Sequence, residues 1–468
     1  MLFTSPTFLF FFLPACLATY FLAPSLRLKN AVLISASLIF YAWGEPSFAL
    51  LMGAMIVFNY AAARIVDGRD GGARKLALGV AVAVNLGLLV TFKYLGFIVH
   101  ALNHGLALVG RPLAQPNIPL PLGISFFTFH CLSYLTDVYR RRFPANRSLP
   151  EVALYIALFP QLIAGPIVRY KTIARRLRMR RHSLGRLGAG LRIFVLGLAQ
   201  KVLLADPLAR LSAAAFDTPH APGAAEAWLG AVAYTLQLYF DFAGYSSMAI
   251  GLAIVFGFSL PRNFRTPYAS RSITEFWRRW HISLSSWFRD YVYIPLGGNR
   301  GGAMLTYRNL IIVFYLCGLW HGAGWTFILW GLWHGAFLIL ERAGLGRVLE
   351  RAPAPVAWAY TLIVVVFGWV LFRAPNIIQA LAVWRGMLGL NPQVDFSSSM
   401  ALAFEPKLLG VMAVGGLLAI FGLKPPRWRP PPAPALAWAQ NLAVVGLLWL
   451  SILRVAAGTF SPFLYFRF

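Results

Sequence analysis

Residues 310–340 read LIIVFYLCGLWHGAGWTFILWGLWHGAFLIL, an apolar run of 31 residues without Asp, Glu, Lys or Arg. A membrane-spanning helix needs about 20 mostly apolar residues, so this run exceeds one bilayer thickness. It nevertheless contains two imidazoles, His321 and His334, each between a Trp and a Gly. Ionisable side chains at membrane depth are costly and should face the interior of a helix bundle. The run therefore predicts a membrane protein with polar groups in its interior.

The composition of the whole chain agrees with this class. Of its 468 residues, 59% are hydrophobic and 12% are charged, whereas soluble domains have about 25% charged residues. Apolar runs recur from end to end, so we predict one polytopic domain over 1–468, with a motif core at about 118–341 and further helices in 354–468. Two of the predicted spans, 228–258 and 309–341, are long enough to be broken or doubled. The candidate spans lie near 8–24, 31–43, 46–63, 76–99, 188–205, 228–258, 309–341, 354–373, 408–423 and 436–457.

The net charge of +27 would fit a nucleic-acid-binding protein, but its distribution does not. The basic residues lie in short clusters between apolar runs, which is typical of loops retained on the cytoplasmic side and of contact with anionic membrane lipids. A subset could meet an anionic cofactor such as a coenzyme. Arg27 and Lys29 follow the first predicted span, Phe8 to Ala23, which places residue 1 outside the cytoplasm.

Two apolar stretches are interrupted by Pro and Gly. Pro119, Pro121 and Gly123 interrupt 118–136, and further Pro and Gly residues interrupt 152–168. Irregular backbone at membrane depth is tolerated only when it is buried in protein or lines a cavity. We therefore expect re-entrant or buried segments around a site. Ordinary kinked spans remain the alternative.

The histidines of 310–340 allow two interpretations. Imidazole titrates near neutrality, which suits it to taking a proton from a hydroxyl and returning it, and Gly322 and Gly324 would allow close approach to His321. Alternatively, each imidazole only forms a hydrogen bond to a neighbouring helix. For His334 the second interpretation is favoured, and for His321 both stay open. In a continuous helix the two side chains would not share a face.

The stretch Glu275 to Tyr291, EFWRRWHISLSSWFRDY, predicts an amphipathic helix. At helical spacing its aromatic residues form one stripe with His281 at the edge, and its Arg residues occupy the remaining arc. Such a helix lies in the membrane interface. His281 either points inward as part of a site or only lies at the headgroup level.

Other candidate functional residues in the sequence give weaker indications. Asp241 lies inside an apolar run and needs a partner, for which a basic residue of 262–289 is one candidate. The turn-rich loop 296–302 has two interpretations, a phosphate-binding loop or a simple connection, and its composition favours the connection. No metal-ligand spacing or nucleophile elbow is evident, so no metal is expected.

Several ordered motifs together resemble the membrane-bound O-acyltransferase (MBOAT) family, most closely its bacterial branch that O-acetylates alginate. The resemblance covers most of the chain up to about residue 375. One departure is Ser247, where that branch usually has Asp. The matching segments are SITEFWRRWHISLS at 272–285, WFRDY at 287–291, LGGNR at 296–300, GLWHG at 318–322, the opening 1–14, PLGIS at 121–125, FPQLIAGP at 159–166 and YFDFAGY at 239–245.

The resemblance implies an all-α integral membrane protein, a bundle of about 10–12 transmembrane helices with re-entrant segments around a central tunnel. The active-site histidine of the family corresponds to His321, and a second, upstream His or Asn corresponds to His281. In the same motifs Arg279, Arg289 and Asn299 are candidates for binding the acyl donor. No resident cofactor is expected, and acetyl-CoA is the expected donor substrate.

The implied function is transfer of an acetyl group from a cytosolic thioester, or its relay across the inner membrane, for O-acetylation of an exopolysaccharide such as alginate. An exported, SGNH-hydrolase-like acetyltransferase is the expected partner. One alternative is the same chemistry on another acceptor: cellulose, peptidoglycan or, with D-alanyl groups, teichoic acid. The others are a transport subunit without covalent chemistry and a structural scaffold for the exported enzyme.

Overall fold

A computed structural model describes residues 1–217, 220–392, 396–422, 434–458 and 463–464, and within these residues the regular structure is helical without a strand. This confirms the predicted all-α class. The first eleven α-helices are α1 (Leu13–Leu22), α2 (Leu26–Ala42), α3 (Pro46–Asp67), α4 (Gly71–Leu89), α5 (Leu95–Leu106), α6 (Ile124–Tyr139), α7 (Leu149–Ala157), α8 (Phe159–Leu162), α9 (Tyr170–Arg178), α10 (Leu184–Ala199) and α11 (Asp206–Phe216).

The helices that follow carry the His motifs and the C-terminal part of the chain. They are α12 (Ala224–Val255), α13 (Ile273–Arg279), α14 (Ile282–Phe288), α15 (Gly302–His321), α16 (Trp325–Leu340), α17 (Gly346–Arg351), α18 (Ala354–Arg373), α19 (Ile377–Met387), α20 (Ser398–Ala403), α21 (Pro406–Phe421) and α22 (Pro434–Ala456). Short π-helical turns lie at Phe8–Phe12, Val90–Tyr94, Gln200–Ala205, Arg289–Tyr293 and Glu341–Leu345, and 3₁₀ turns at Ala107–Val109 and Pro267–Ala269.

Seven helical segments of the described residues are long and apolar enough to cross a membrane. Three shorter apolar helices would bring the number to ten if they also cross. The seven are Pro46–Asp67, Gly71–Val109, Leu184–Phe216, Ala224–Val255, Gly302–His321, Ala354–Arg373 and Trp438–Ala456, and the shorter ones are Phe8–Leu22, Ile377–Met387 and Pro406–Phe421.

The two long predicted spans behave differently. The first, 228–258, is unbroken as far as residue 255, within the single helix α12, and ends in a turn. The second, 309–341, is broken into α15 and α16 by a short extended segment, 322–324. The geometric argument that His321 and His334 would not share a face of one helix therefore does not apply, because they lie on different helices.

The chain divides into two compact units, residues 1–194 with 248–261 and residues 195–247 with 262–468. In the first unit α3 and α4 are joined by a pair of fully buried amides. Asn59 Nδ2 donates to Asn85 Oδ1 at 3.1 Å, and Asn85 Nδ2 donates to Asn59 Oδ1 at 2.9 Å. Such polar pairs between helices are a common association device where lipid removes the hydrophobic driving force.

The stretches interrupted by Pro and Gly also belong to the first unit, but they differ in burial. Residues 154–168 are buried throughout. Gly123 has a φ of +72°, and a Cβ there would lie 2.8 Å from the carbonyl oxygen of Leu162. The Tyr155 hydroxyl donates to the carbonyl of Val168 at 2.9 Å. The irregular backbone of 163–168 is thus enclosed in protein, as lipid requires, whereas Pro119 and Leu120 at the start of the other stretch are exposed. Re-entrant segments and kinked spans both stay open as interpretations.

In the second unit α15 and α16 pack backbone against backbone. A Cβ at Gly331 would overlap the carbonyl oxygen of Phe314 and lie 3.1 Å from the amide nitrogen of Gly318. A Cβ at Gly318 would in turn overlap the carbonyl oxygen of Phe327. Small residues at such contacts let helix backbones approach closely in membranes, where van der Waals packing drives association.

The partner of Asp241 differs from the one considered from the sequence. Its carboxylate lies 2.7 Å from Lys201 Nζ and accepts a hydrogen bond of 2.8 Å from the amide of Leu464. Lys201 also pairs with Asp206 at 2.5 Å, and all three charged side chains are buried. A basic residue of 262–289 is therefore the wrong partner. The local sequence could not show this, because the cation comes from a separate helical segment.

The contact between α15 and α16 predicts that Gly331→Ala destabilises the protein. The added methyl group has no room between the two backbones, and overpacking typically costs about 1–3 kcal/mol. The thermal midpoint of the purified protein in detergent should fall. The matched control is Gly416→Ala in α21, where a Cβ has nothing within 4 Å. Equal midpoints for the two variants would contradict the proposed contact.

Candidate active site

His321 is the last residue of α15, at the point where the chain leaves the helix. The residue that follows, Gly322, is extended, and a Cβ there would overlap the ring of Phe327. The glycine thus allows the tight reversal from α15 into α16. As a consequence the imidazole lies at a helix end between two packed helices, where it is 3% exposed.

The walls around His321 are aromatic. The ring centroids of Trp320, Trp330 and Phe372 lie 4.8, 4.9 and 5.1 Å from that of His321, and all three contacts are edge-to-face. Phe372 comes from α18, and no pattern in the local sequence indicates its place. An imidazole in such a setting is shielded from water, which strengthens its electrostatic interactions with a substrate.

His281 does not lie on a continuous amphipathic helix, so that prediction is wrong. The stretch 275–291 is broken: α13 ends at Arg279, Trp280 is extended, and His281 has φ +40° and ψ +54° before α14 begins. His281 is one of three residues other than glycine with positive φ among the described residues. Left-handed backbone is strained in a bulky residue and persists only where its surroundings enforce it.

Neighbouring backbone and amide groups hold this turn. The carbonyl of Asn263 accepts from the amide of Ile282 at 2.9 Å, and its side-chain oxygen accepts from the amide of Ser283 at 3.3 Å. The first two amides of α14, which lack acceptors within the helix, are therefore satisfied by one asparagine. Because these contacts fix the start of α14, they also fix the backbone of His281.

Glu341 holds the start of α13 and gave no functional sign in the sequence beyond ending the uncharged run. One carboxylate oxygen accepts from the amide of Ile273 at 2.5 Å, and the other accepts from the amide and hydroxyl of Thr274 at 2.9 and 2.6 Å. The hydroxyl of Tyr360 donates to the first oxygen at 3.3 Å. A carboxylate at a helix N-terminus satisfies unpaired amides and the helix dipole. It ties the helix before His281 to the end of α16.

The structure brings the two histidines together. The ring centroids of His281 and His321 are 6.4 Å apart, and Trp320 contacts both rings. His281 is fully buried, with the ring of Phe242 4.6 Å away. Burial lowers the pKa of His281 to about 3, because it disfavours the charged form. His281 is therefore neutral at physiological pH.

This arrangement suits proton transfer at a hydroxyl. A neutral imidazole offers one acceptor and one donor nitrogen. At the observed ring separation a small reacting group could lie between the two imidazoles, at ordinary hydrogen-bond distances of about 2.7–3.2 Å from each. The aromatic walls would exclude competing water.

His334 is placed apart from this pair. It is fully buried on α16, with its ring stacked on Phe276 at 6.0 Å and edge-on to Trp277 and Trp330 at 5.2 and 5.3 Å. Neither of its ring nitrogens forms a hydrogen bond within the described part of the chain. The structure thus packs His334 against aromatic rings instead of bonding it to a neighbouring helix.

The three donor-binding candidates are each held by local contacts. Arg279 pairs with Glu275 at 2.5 Å, and the exposed Arg289 pairs with Asp290 at 2.8 Å. The side chain of Asn299 accepts from the hydroxyl of Tyr293. Their role at the donor stays a prediction. Within the described residues no group of three or more His, Cys, Asp or Glu side chains could hold a metal ion.

Comparison with known proteins identifies the family. Residues 122–384 match the model of "MBOAT, membrane-bound O-acyltransferase family". The protein named "Probable alginate O-acetylase AlgI" of Azotobacter vinelandii is 41% identical, and its namesake of Pseudomonas putida is 42% identical, with all of each chain covered. The "Peptidoglycan O-acetyltransferase" of Helicobacter pylori is 38% identical over 84% of this chain and 80% of its own.

The family match spans more than half of the chain and includes both histidine motifs. It also agrees with the multi-pass, all-α architecture and confirms the resemblance of the ordered motifs. The chain therefore belongs to the membrane-bound O-acyltransferase family, and it is a multi-pass membrane O-acyltransferase.

Proposed function

We propose that this enzyme transfers an acetyl group from a cytosolic thioester to a hydroxyl, with His321 as general base and His281 as its partner. The observation that carries the proposal is the pair itself. Two buried imidazoles, 40 residues apart in sequence, have ring centroids 6.4 Å apart inside aromatic walls. Burial of two such polar groups is costly, and the strained backbone at His281 adds to this cost.

The proposed reaction runs as a direct transfer. The acceptor hydroxyl gives its proton to a ring nitrogen of His321 while its oxygen attacks the thioester carbonyl carbon. The neutral imidazole of His281 donates a hydrogen bond to the carbonyl oxygen, where negative charge develops. The carbon–sulfur bond then breaks, and the thiolate takes the proton from His321. An ester and a free thiol are the products.

The choice of acyl group and acceptor rests on the names of the relatives. Two are named for alginate and one for peptidoglycan, and all three are named for acetyl transfer. We propose acetyl-CoA as donor and an exopolysaccharide such as alginate as the final acceptor. We further propose a location in the inner membrane and delivery through an exported SGNH-hydrolase-like partner.

His321→Ala should lower the turnover number by about 10²–10⁴-fold, the usual contribution of general acid–base catalysis. The measurement is release of free CoA from labelled acetyl-CoA by the purified protein, together with transfer of the label. His334→Ala is the matched control, since it removes an equally buried imidazole from the same aromatic region. Its turnover per folded molecule should stay near that of the parent. Acetylation at the parent rate by His321→Ala would exclude His321 as the base.

His281→Gly should fold normally and lose most of its activity. Glycine adopts positive φ without strain, so this variant removes the imidazole while keeping the turn. His281→Asn is the comparison, because Asn also tolerates the left-handed conformation and retains a side-chain donor; we expect it to keep measurable activity. If the glycine variant turned over like the parent, His281 would be only a structural residue of the turn.

The same assay distinguishes the enzyme from a transport subunit. CoA release that depends on His321 requires breakage of the thioester bond. Movement of intact acetyl-CoA into sealed vesicles, without CoA release, would instead indicate transport. Supplying alginate oligomers or peptidoglycan fragments in parallel shows which acceptor takes the label.

A further inference from the structure

The first compact unit contains a basic cluster around Tyr20 that the proposed reaction does not use. Lys29 Nζ and Arg180 Cζ lie 5.5 and 5.8 Å from the Tyr20 ring centroid, and His182 Nε2 lies 3.3 Å from the Tyr20 hydroxyl. None of these basic groups forms an ion pair with Asp or Glu among the residues that the structure describes. Elsewhere in this unit the arginines Arg142 and Arg178 do pair with carboxylates.

A turn of three residues, 256–258, forms the floor of the cluster. The Tyr20 hydroxyl donates to the carbonyl of Phe256 at 2.9 Å. Arg176 Nη1 donates to the carbonyl of Gly257 at 3.2 Å. The guanidinium of Arg180 lies over the phenyl ring of Phe258, 4.5 Å from the ring centroid. Side chains from two separate parts of the sequence, around residue 20 and within 176–180, thus converge on one turn.

The middle residue of the turn, Gly257, is required by this geometry. Its φ is +86°, and a Cβ would lie 3.0 Å from Cε1 of His182 and 3.1 Å from Cδ of Arg180. Any other residue would combine backbone strain with a steric conflict against two basic side chains. The cluster is therefore a built arrangement and not a set of freely solvated loop charges.

Arg180 has donors that the protein leaves unsatisfied. Its Nη2 donates to Asn30 Oδ1 at 2.6 Å, and Asn30 is itself held by the carbonyl of Leu177 at 2.9 Å. The nitrogens Nε and Nη1 are buried and form no well-aligned hydrogen bond within the described residues, and the Tyr20 hydroxyl is a further side-chain group that interacts with this guanidinium. Buried donors on a charged group are costly without an acceptor, so an acceptor from outside the chain is expected at this position.

The local charges also favour an anion. The pKa of His182 is lowered, mainly by burial and further by the positive charges of Lys29, Arg180 and Arg186. The pKa of Arg176 is also lowered, mainly by burial and further by the positive charge of Arg186. Basic neighbours thus make it harder for His182 and Arg176 to carry charge, and a bound anion would relieve this repulsion.

We propose that the cluster of Lys29, Arg176, Arg180 and His182 is a binding site for a phosphate group. Arginine and lysine are the side chains that bind phosphate oxygens most strongly, through charge-assisted hydrogen bonds. The phosphate belongs either to a nucleotide-bearing acyl donor or to an anionic phospholipid. The first source rests on the proposed function, and the second does not. Lys29 belongs to a cluster that the positive-inside rule places in the cytosol, the side of a cytosolic donor.

The test compares binding by the full-length protein carrying His321→Ala, so that no turnover intervenes. Lys29→Gln and Arg180→Gln remove one charge each from the cluster. Arg181→Gln is the matched control, because it removes one charge from an exposed neighbour outside the contacts described above. In detergent the probe is CoA, with pantetheine, which lacks phosphate, for comparison. In nanodiscs the probe is phosphatidylglycerol, with phosphatidylcholine for comparison.

We expect Lys29→Gln and Arg180→Gln to weaken binding of at least one phosphate probe about tenfold or more, as loss of a charge-assisted hydrogen bond would, while Arg181→Gln stays near the parent. A loss for CoA but not for pantetheine identifies the donor as the source, and a loss for phosphatidylglycerol identifies the lipid. If Arg180→Gln fails to fold, Lys29→Gln alone decides. Binding of both probes equal to that of the control variant would overturn the proposal. Because no step requires catalysis, this outcome is distinguishable from a failure of the proposed catalytic role of His321.

Discussion

The close contact between α15 and α16 is the interaction on which the site depends. Apolar side chains gain little by leaving lipid for a protein interior, so helices in a membrane associate through packing and polar contacts. Gly318 and Gly331 supply that packing by bringing two backbones together. The reversal between the helices then places His321 at a helix end, beside Trp330 of the facing helix. A larger residue at either glycine would move the imidazole together with its wall.

His281 is held beside His321 by hydrogen bonds to its own segment and not by helix packing. Its segment is too short and too interrupted to form a spanning helix, so its position depends on groups from elsewhere in the second unit. Asn263 satisfies the first amides of α14, and Glu341 satisfies those of α13. The left-handed backbone at His281 is the point where these two restraints meet. Strain of this kind is typically retained at functional sites, which supports a role for the imidazole beyond packing.

Polar groups in the interior of this protein fall into two kinds. Lys201, Asp206 and Asp241 pair with one another, so their charges are compensated within the protein. His281 and His321 are instead surrounded largely by aromatic rings, and Arg180 keeps donors without an acceptor in the described residues. Compensated charges stabilise a fold, whereas buried polar groups held at a built position are typical of a substrate or ligand site.

Much of the architecture follows from the sequence alone. Long apolar runs with few charges can only be helices that bury their backbone hydrogen bonds, and an uncharged run containing His321 predicts an inward-facing imidazole. The motif order identified the family. Excess length allowed a broken or doubled span at 309–341, which is broken, and equally at 228–258, which is not broken within α12. These conclusions depend on local composition and spacing, which the chain carries in every conformation.

Other features were decided only by the tertiary structure. The break at His281 could not be predicted, because the helical periodicity of 275–291 is real but is overridden by hydrogen bonds from Asn263 and Glu341. The rings that surround His321 and His334 could not be predicted either, since Phe372 lies in α18, 51 residues after His321. The ion pair between Asp241 and Lys201 could not be predicted either, because the two residues lie in separate parts of the sequence. Contacts between residues far apart in the chain leave no periodic trace in the sequence, so only the folded protein shows which polar groups meet.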